Sequence, residues 1–516
     1  MLASMSRIET LPVVSPVPQP ALSTLYAELL QLRDQVQREA DALLQDWGAH
    51  EASLRERCQN LAHYVALRRR DLRRLQPALM QLGLSTLGRS EAKVLPTLDA
   101  VLGTLSAVLG QGSVAPIYPT PDRFSQGGLR LRQASEQLFG AAPALRPVHL
   151  MVTLPAEAAS DPQLVRELVA SGMDCARINC GHDDISLWQR MIRNVRDASQ
   201  ATGKPCRICM DLSGPRLRIA DVHKGKKAPP LQVGDTFLLC SARGSQPPQP
   251  TRAKKSKDSR PPEGWVAVCD YPDALLHLRP GSEVVIDGGI ASCRVTQRTE
   301  QGFRLQVTHA PPKGLKLRAE KGLNFPGTAL NIPALTERDR EDLAFVAKHA
   351  DLVGYSFVQR PSDVYALQDE LSRRGRAPES LGLILKIETA AAVRALPALL
   401  VAALSRQPVG VLIARGDLAA ELGFERLPEI QEELLWLCEA AHVPVIWATQ
   451  VLDRLVRKGT PTRAEVTDAA AAARAECVML NKGPYLRQAL HMLDQILVSM
   501  RAHQDKKTAQ LAPLPW

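Results

Sequence analysis

Gly382-Leu383-Ile384-Leu385-Lys386-Ile387-Glu388 is an apolar run that ends in charge. After a helix-length stretch the plan repeats in Val409-Gly410-Val411-Leu412-Ile413-Ala414-Arg415-Gly416-Asp417-Leu418. Short apolar runs separated by helix-length segments read as parallel strands buried on both faces. The same plan recurs at residues 148–153, 175–180, 206–212, 352–358, 444–448 and 477–480. Helical stretches such as 162–171, 185–202 and 338–349 lie between them. Eight strands alternating mostly with helices predict an α/β fold, a parallel (β/α)8 TIM barrel occupying 147–220 and 317–505. A tail, 506–516, follows.

One connection breaks the alternation. Between the third and fourth strands lie short β-like runs at 237–240, 283–286, 292–296 and 304–307, with Asp287-Gly288-Gly289 as a hairpin signal. They predict a small inserted β-barrel domain over 221–316. Its stretch 243–262 is rich in Pro, Lys and Arg and poor in apolar residues, and is expected to be disordered.

Ahead of the barrel, residues 1–20 carry four prolines and read as a tail. Residues 21–110 read as an all-α region. Leu61, Tyr64, Val65, Leu72, Leu75 and Leu79 recur at helical spacing, with Arg68, Arg69, Arg70, Arg73 and Arg74 mostly on the other side. Such a basic face is more often the solvated side of a helical bundle than a nucleic-acid site. Residues 111–146, rich in Pro, Gly and Gln, read as a linker with a helix near 127–138.

A length of 516 residues implies several domains, and 45% hydrophobic residues is ordinary for a globular chain. The formal charge of +10 favours anionic partners. Ten cysteines in so long a chain do not make a disulfide scaffold. The pair Cys206 and Cys209 falls in a strand, where an odd offset sends the thiols to opposite faces, so a redox role is not expected. Nothing resembles a secretory signal, and the longest apolar run, 395–404, is too short to span a bilayer. The expected setting is cytoplasmic.

In a barrel of this kind chemistry sits where strands end. Lys386 and Glu388, two apart, share one strand face and point into the mouth. The next strand leads to Asp417, so two carboxylates stand at neighbouring strand ends and could hold Mg²⁺. The seventh strand adds the Thr449 hydroxyl, and the second adds Arg177, suited to a phosphate.

Taken with the order of its motifs, the chain resembles the pyruvate kinases. The motifs are Arg177-Ile178-Asn179-Cys180-Gly181-His182, Asp211-Leu212-Ser213-Gly214-Pro215, Lys321-Gly322-Leu323-Asn324-Phe325-Pro326-Gly327, Lys386-Ile387-Glu388, Ala414-Arg415-Gly416-Asp417-Leu418, Ala448-Thr449-Gln450 and Pro461-Thr462-Arg463-Ala464-Glu465. The resemblance implies phosphoryl transfer from phosphoenolpyruvate to ADP, giving pyruvate and ATP. It implies Mg²⁺ (or Mn²⁺) on Glu388 and Asp417, and Lys386 offsetting charge on the phosphoryl group and the enolate. Arg177 would grip the phosphate, and Asn179 would also bind substrate. The backbone N–H groups of Gly416 and Asp417 would hold the substrate carboxylate, and Thr449 would help protonate the enolate carbon. Arg218, Lys321 and His182 would lie on the nucleotide side, with the inserted domain as a lid.

Three departures accompany the resemblance. The further α/β effector domain that family members carry after the barrel is not expected in this chain. Asn481-Lys482-Gly483-Pro484 replaces the family's Ser-Gly-Glu-Thr, and the loop Thr153-Leu154-Pro155-Ala156 is a residue short. Where family members bind K⁺, Asn179 and Asp211 remain, but Gly181, Leu212 and Arg216 replace a Ser, a Thr and a Glu. Arg216 is expected to supply the positive charge K⁺ otherwise brings, so K⁺ is not expected to be required. Neither nucleic acid nor membrane is an expected partner; self-association through barrel faces is compatible with the fold. Two alternatives stand. One is a regulatory or scaffolding homologue of weak or no activity, its N-terminal helices binding a partner. The other is a different phosphoryl-transfer or enolpyruvate enzyme on the same barrel.

Overall fold

The structure, a computed structural model, describes residues 19–110, 118–215, 217–225, 228–241, 264–328, 330 and 332–513. Most of the tail 1–20, the stretch 243–262 and Arg216 lie outside the described residues.

Eight parallel strands close a barrel: β1 (His149–Thr153), β2 (Cys175–Asn179), β3 (Arg207–Asp211), β4 (Leu352–Tyr355), β5 (Gly382–Ile387), β6 (Val409–Ala414), β7 (Val445–Ala448) and β8 (Cys477–Leu480). They neighbour one another in chain order, and β8 returns to β1. Helices between them start on their own side-chain caps. Asp161 accepts from Leu164 N–H, Asp184 from Leu187 N–H, and Thr336 and Thr462 form capping boxes with Asp339 and Glu465. These caps fix where each loop after a strand stops, and so hold the mouth in shape.

The barrel interior has two levels. The lower is apolar or thiol: Met151, Cys175, Cys209, Ile384, Leu412, Ile446 and Cys477 are buried there. Cys206 packs outside this layer, on the outer core, so the two cysteines do part to opposite faces. Arg177, Asp211 and Lys386 lie on the same strands, toward the ends that form the mouth.

Four N-terminal helices are central to the rest: α1 (Gln19–Asp46), α2 (Ala52–Arg68), α3 (Val94–Val108) and α4 (Pro121–Phe139). The periodic stretch 61–79 is not one helix. It breaks after Arg68 and resumes at Leu75–Gln81. Its arginines pair with carboxylates of the same region: Arg70, largely covered, with Glu39, and Arg74 and Arg73, both exposed, with Glu28 and Asp71. That pairing favours the bundle over a free basic stripe. α4 closes the barrel floor, burying Leu138 and Phe139 against the lower layer. Gly382 and Gly410 make room for it, since a Cβ on either would sit 2.7 or 3.0 Å from a Leu138 methyl. α2 packs on α5 (Ala390–Leu404) and on α7 (Leu427–Ala440), which follows α6 (Arg415–Leu422). Residues 504–509 form a hairpin whose Lys506 and Lys507 pair with Glu476 and Glu91.

Between β3 and Glu337–His349 runs a curled seven-stranded sheet, in the order Leu323–Asn324, Glu283–Ile286, Ala291–Thr299, Gly302–His309, Thr236–Ser241, Trp265–Cys269, Ile219–Lys224. It has its own core, including Phe237, Trp265, Leu305 and Phe325. Among the described residues no helix is long and apolar enough to cross a membrane.

Candidate active site

Strand ends β2 to β5 bring their polar groups to one point. Lys386 Nζ lies 2.9 Å from Glu388 Oε1 and 3.6 Å from Asp211 Oδ2, and donates to Ser356 Oγ at 2.6 Å. Arg177 donates to Asp211 Oδ2 through Nε at 2.8 Å, and its Nη2 is 2.7 Å from the same oxygen. Its Nη1 donates to Thr153 Oγ1 at 2.9 Å. Asp211 is therefore a buried carboxylate shared by two cations. The chain makes space for it with Gly354, where a Cβ would come within 2.0 Å of Asp211 Oδ1.

Burial by itself works against the charges of Asp211, Lys386 and Arg177. Mutual attraction outweighs it: Glu388 and Asp211 hold the Lys386 ammonium above its usual range, and Arg177 and Lys386 hold Asp211 below the usual carboxylate range. Near neutral pH Asp211 is therefore a carboxylate and Lys386 a fixed positive charge.

Glu388 Oε2 accepts the Phe357 N–H at 2.8 Å, and Phe357 holds a positive φ of 55° to offer it. At the next strand end, Arg415 reaches sideways beneath the β7 loop. It donates to Ala448 O at 2.7 Å and Thr449 O at 2.5 Å, pairs with Asp468, and lies 4.7 Å from the Trp447 ring centre. Thr449 and Gln450 have φ of 70° and 59°, a strained turn that Arg415 pins in place. Glycine at 416 lets the Thr449 methyl sit close, since a Cβ there would lie 2.9 Å from Thr449 Cγ2.

A cleft of about 360 Å³ opens between the barrel mouth and the inserted sheet. Arg177, Ser356, Lys386, Glu388 and Asp417 line the barrel side, and Arg218, Glu320 and Asn324 the sheet side. Among the described residues its ionisable lining holds carboxylates and cations but neither His nor Cys. Glu388 and Asp417 are thus oxygen donors fit for a hard cation such as Mg²⁺, which is bound by one or two carboxylates and keeps other positions for water and phosphate.

The family model for the pyruvate kinase barrel domain matches residues 145–488. The chain is 30% identical over 358 residues to a pyruvate kinase of Geobacillus stearothermophilus, covering 68% of this chain and 56% of that one. It is 30% identical to one of Clostridium acetobutylicum, covering 61% of each, and 30% identical to human pyruvate kinase PKLR, covering 68% and 59%. The chain belongs to the pyruvate kinase family. It spans between about half and three fifths of the length of these curated relatives.

The remaining pyruvate kinase positions spread around the central cleft. Asn179 and His182 line a second cavity of about 200 Å³, which shares Arg177 with the first. Both loops that depart from the family pattern border it, through Thr153 and Leu154 on one side and Asn481 and Lys482 on the other. Arg218 and Lys321 belong to the sheet side and are ion-paired there, Arg218 with Glu320 at 2.7 Å and Lys321 with Asp287 at 2.6 Å. Gly416 and Thr449 stand beside Asp417 at the rim and line neither cavity. Arg216 lies outside the described residues.

Ser356, Phe357 and Arg457 are not among the site residues expected from the sequence, and Lys482 figures there only within the loop that departs from the family pattern. The first two follow β4 directly, in Tyr355-Ser356-Phe357, and reading that strand's end as the others were read would have found them. Arg457 and Lys482 come together only in space.

Proposed function

We propose that this protein transfers the phosphoryl group of phosphoenolpyruvate to ADP in the cleft between barrel and inserted sheet. The observation that carries the reading is the convergence of Arg177, Lys386, Glu388 and Asp417 on one cleft around the buried Asp211. Phosphoryl transfer needs positioning and charge more than covalent chemistry, and these residues supply both.

Asp211 holds Arg177 and Lys386 side by side, so two cations face the phosphate with no reorganisation at the moment of transfer. Lys386 stays protonated and offsets the charge that collects on the phosphoryl oxygens and the enolate. The N–H groups of Gly416 and Asp417, in the first turn of α6, receive the substrate carboxylate. Thr449, fixed by Arg415, stands next to Gly416 and helps deliver the proton that turns enolate into pyruvate. A Mg²⁺ held by Glu388 and Asp417 would add Lewis acidity at the phosphate oxygens. Asn179, His182, Arg457 and Lys482 take the nucleotide phosphates in the adjoining cavity. The inserted sheet, with Arg218 and Lys321, covers the nucleotide and keeps water from accepting the phosphoryl group.

The reaction runs without K⁺. Asp211 is occupied by two protein cations, and the Leu212 carbonyl accepts the Ser356 hydroxyl at 2.7 Å, which supports this reading alongside the Arg216 substitution. The test is pyruvate formation, coupled to NADH oxidation, with phosphoenolpyruvate, ADP and Mg²⁺ in buffer free of K⁺, Na⁺ and NH₄⁺. Turnover is expected there and should change little as KCl is added at constant ionic strength. No turnover with or without K⁺ contradicts the reaction; a tenfold rise on adding K⁺ contradicts only the K⁺ reading.

A further inference from the structure

On the barrel floor, away from the catalytic cleft, a cavity of about 330 Å³ lies between α2, α4 and the segments that lead into β6 and β7. Its size is that of a small-molecule site. One wall is a single helical stripe on α4: Arg130, Gln133, Ala134 and Gln137, at i, i+3, i+4 and i+7. The neighbouring face of the same helix buries Leu131 and sets Leu138 and Phe139 into the barrel floor, so α4 turns its apolar face inward and leaves the polar stripe on the open side of the cavity, with Gln133 and Gln137 exposed. The opposite wall is apolar, with Leu404, Val409 and Val443.

Arg57 closes the end. Its Nη1 donates to Leu404 O at 2.8 Å, which fixes the guanidinium against the C-terminus of α5. Among the described residues Arg130 is tied to Glu56 alone, by Nη2 at 2.9 Å, and Glu56 is 70% exposed, so that pair is an easily exchanged surface contact. Gln133 and Gln137 have no hydrogen-bond partner among the described residues. His442, on the rim, directs Nε2 at the Ala92 carbonyl at 3.0 Å, which makes Nε2 the protonated nitrogen and leaves Nδ1 as an acceptor.

We propose that this floor cavity is a binding site for a small organic anion. A carboxylate or phosphate head would take Arg130 and Arg57, an apolar body would lie on Leu404, Val409 and Val443, and Gln133 and Gln137 would fix its polar edge. The site is independent of the phosphoryl-transfer reading. Five of its eleven lining residues precede the part of the chain matched by the family model.

The test uses the full chain and three probes: phenyl phosphate, benzoate, and benzyl alcohol as the uncharged match, each titrated by isothermal calorimetry. Saturable 1:1 binding is expected for at least one anion and not for the alcohol; phosphate preference over benzoate, or the reverse, identifies the head group. Arg130→Ala should weaken that binding about tenfold or more, as loss of a charge-assisted hydrogen bond does. Ala134→Trp should block it by filling the cavity, while Lys386→Met should leave it unchanged. A cooperative thermal transition in each variant establishes folding. Absence of saturable binding by both anions overturns the proposal. So does unchanged affinity in both Arg130→Ala and Ala134→Trp, or loss of binding in Lys386→Met, which would place the probe in the catalytic cleft.

Discussion

The two ends of the barrel use the same eight strands in opposite ways. At the mouth, Lys386, Glu388, Asp211 and Arg177 crowd charge into a buried space, with Phe357 and Thr449 held at positive φ around them. At the floor, thiols and apolar side chains pack against Leu138 and Phe139, and glycines at 382 and 410 let a helix close the end. Strain and unsolvated charge are concentrated at one end, and packing at the other pays for them. Changes at the mouth should therefore alter rate, and changes at the floor should alter stability.

The hardest test of that division is Lys386→Met. Loss of a charge contact made in the transition state should lower turnover by a factor of about 10² to 10³. A cooperative melting transition should remain, because Asp211 keeps Arg177 and Glu388 keeps the Phe357 N–H. Near-normal turnover would break the assignment of charge to catalysis.

Leu138→Ala probes the other end. The cavity it leaves under the lower layer should cost about 2–5 kcal/mol in denaturant unfolding. Turnover per folded molecule should not change. A large fall in turnover with stability intact would mean the ends are not separate.

Lys482→Ala should act only on the nucleotide side of the mouth. Lys482 is exposed and has no partner among the described residues, so its loss should raise KM for ADP up to about tenfold with KM for phosphoenolpyruvate unchanged. Equal changes in both would place it elsewhere in the mechanism.

The smallest effect is a pH dependence at the floor end. Burial raises the Glu439 carboxyl to about 7 from 4.5, with Glu91 and Glu476 adding to the shift and Lys506 and Lys507 opposing it. The folded protein holds this proton more tightly than the unfolded chain. Its contribution is present below about pH 4.5 and is lost as pH rises toward 7. Glu439→Gln should flatten the melting temperature over that window while leaving turnover unaffected. An unaltered pH profile of melting would remove Glu439 from the account.

The eight strands were legible because each is a short, mainly apolar run with its polar residues at or near its end, and the chain order of the ring follows from the βα alternation. The inserted sheet was half legible. Residues 291–296 and Gly302–His309 alternate, whereas Ile219–Lys224 is half polar with only Ile219 buried and Trp265–Cys269 is buried along its whole length, so neither shows the period of two. The break after Arg68 was hidden because apolar spacing carries on across it. At the site, Lys386, Glu388 and Arg177 were readable from strand ends. The sharing of Asp211 between two cations was not, since it depends on the register between β2 and β3 and on Gly354. The pinning of Thr449 by Arg415 was equally hidden, because the sequence offers Arg415 only as a motif letter.

The most direct test of the central claim follows phosphorus itself. Phosphoenolpyruvate, ADP and Mg²⁺ are incubated with the protein and monitored by ³¹P NMR, beside a parallel sample of Lys386→Met. The expected result is loss of the phosphoenolpyruvate resonance matched one for one by the γ-phosphorus of ATP, with the variant slower by at least about a hundredfold. An unchanged phosphoenolpyruvate signal, or its conversion to inorganic phosphate without ATP, would contradict the account.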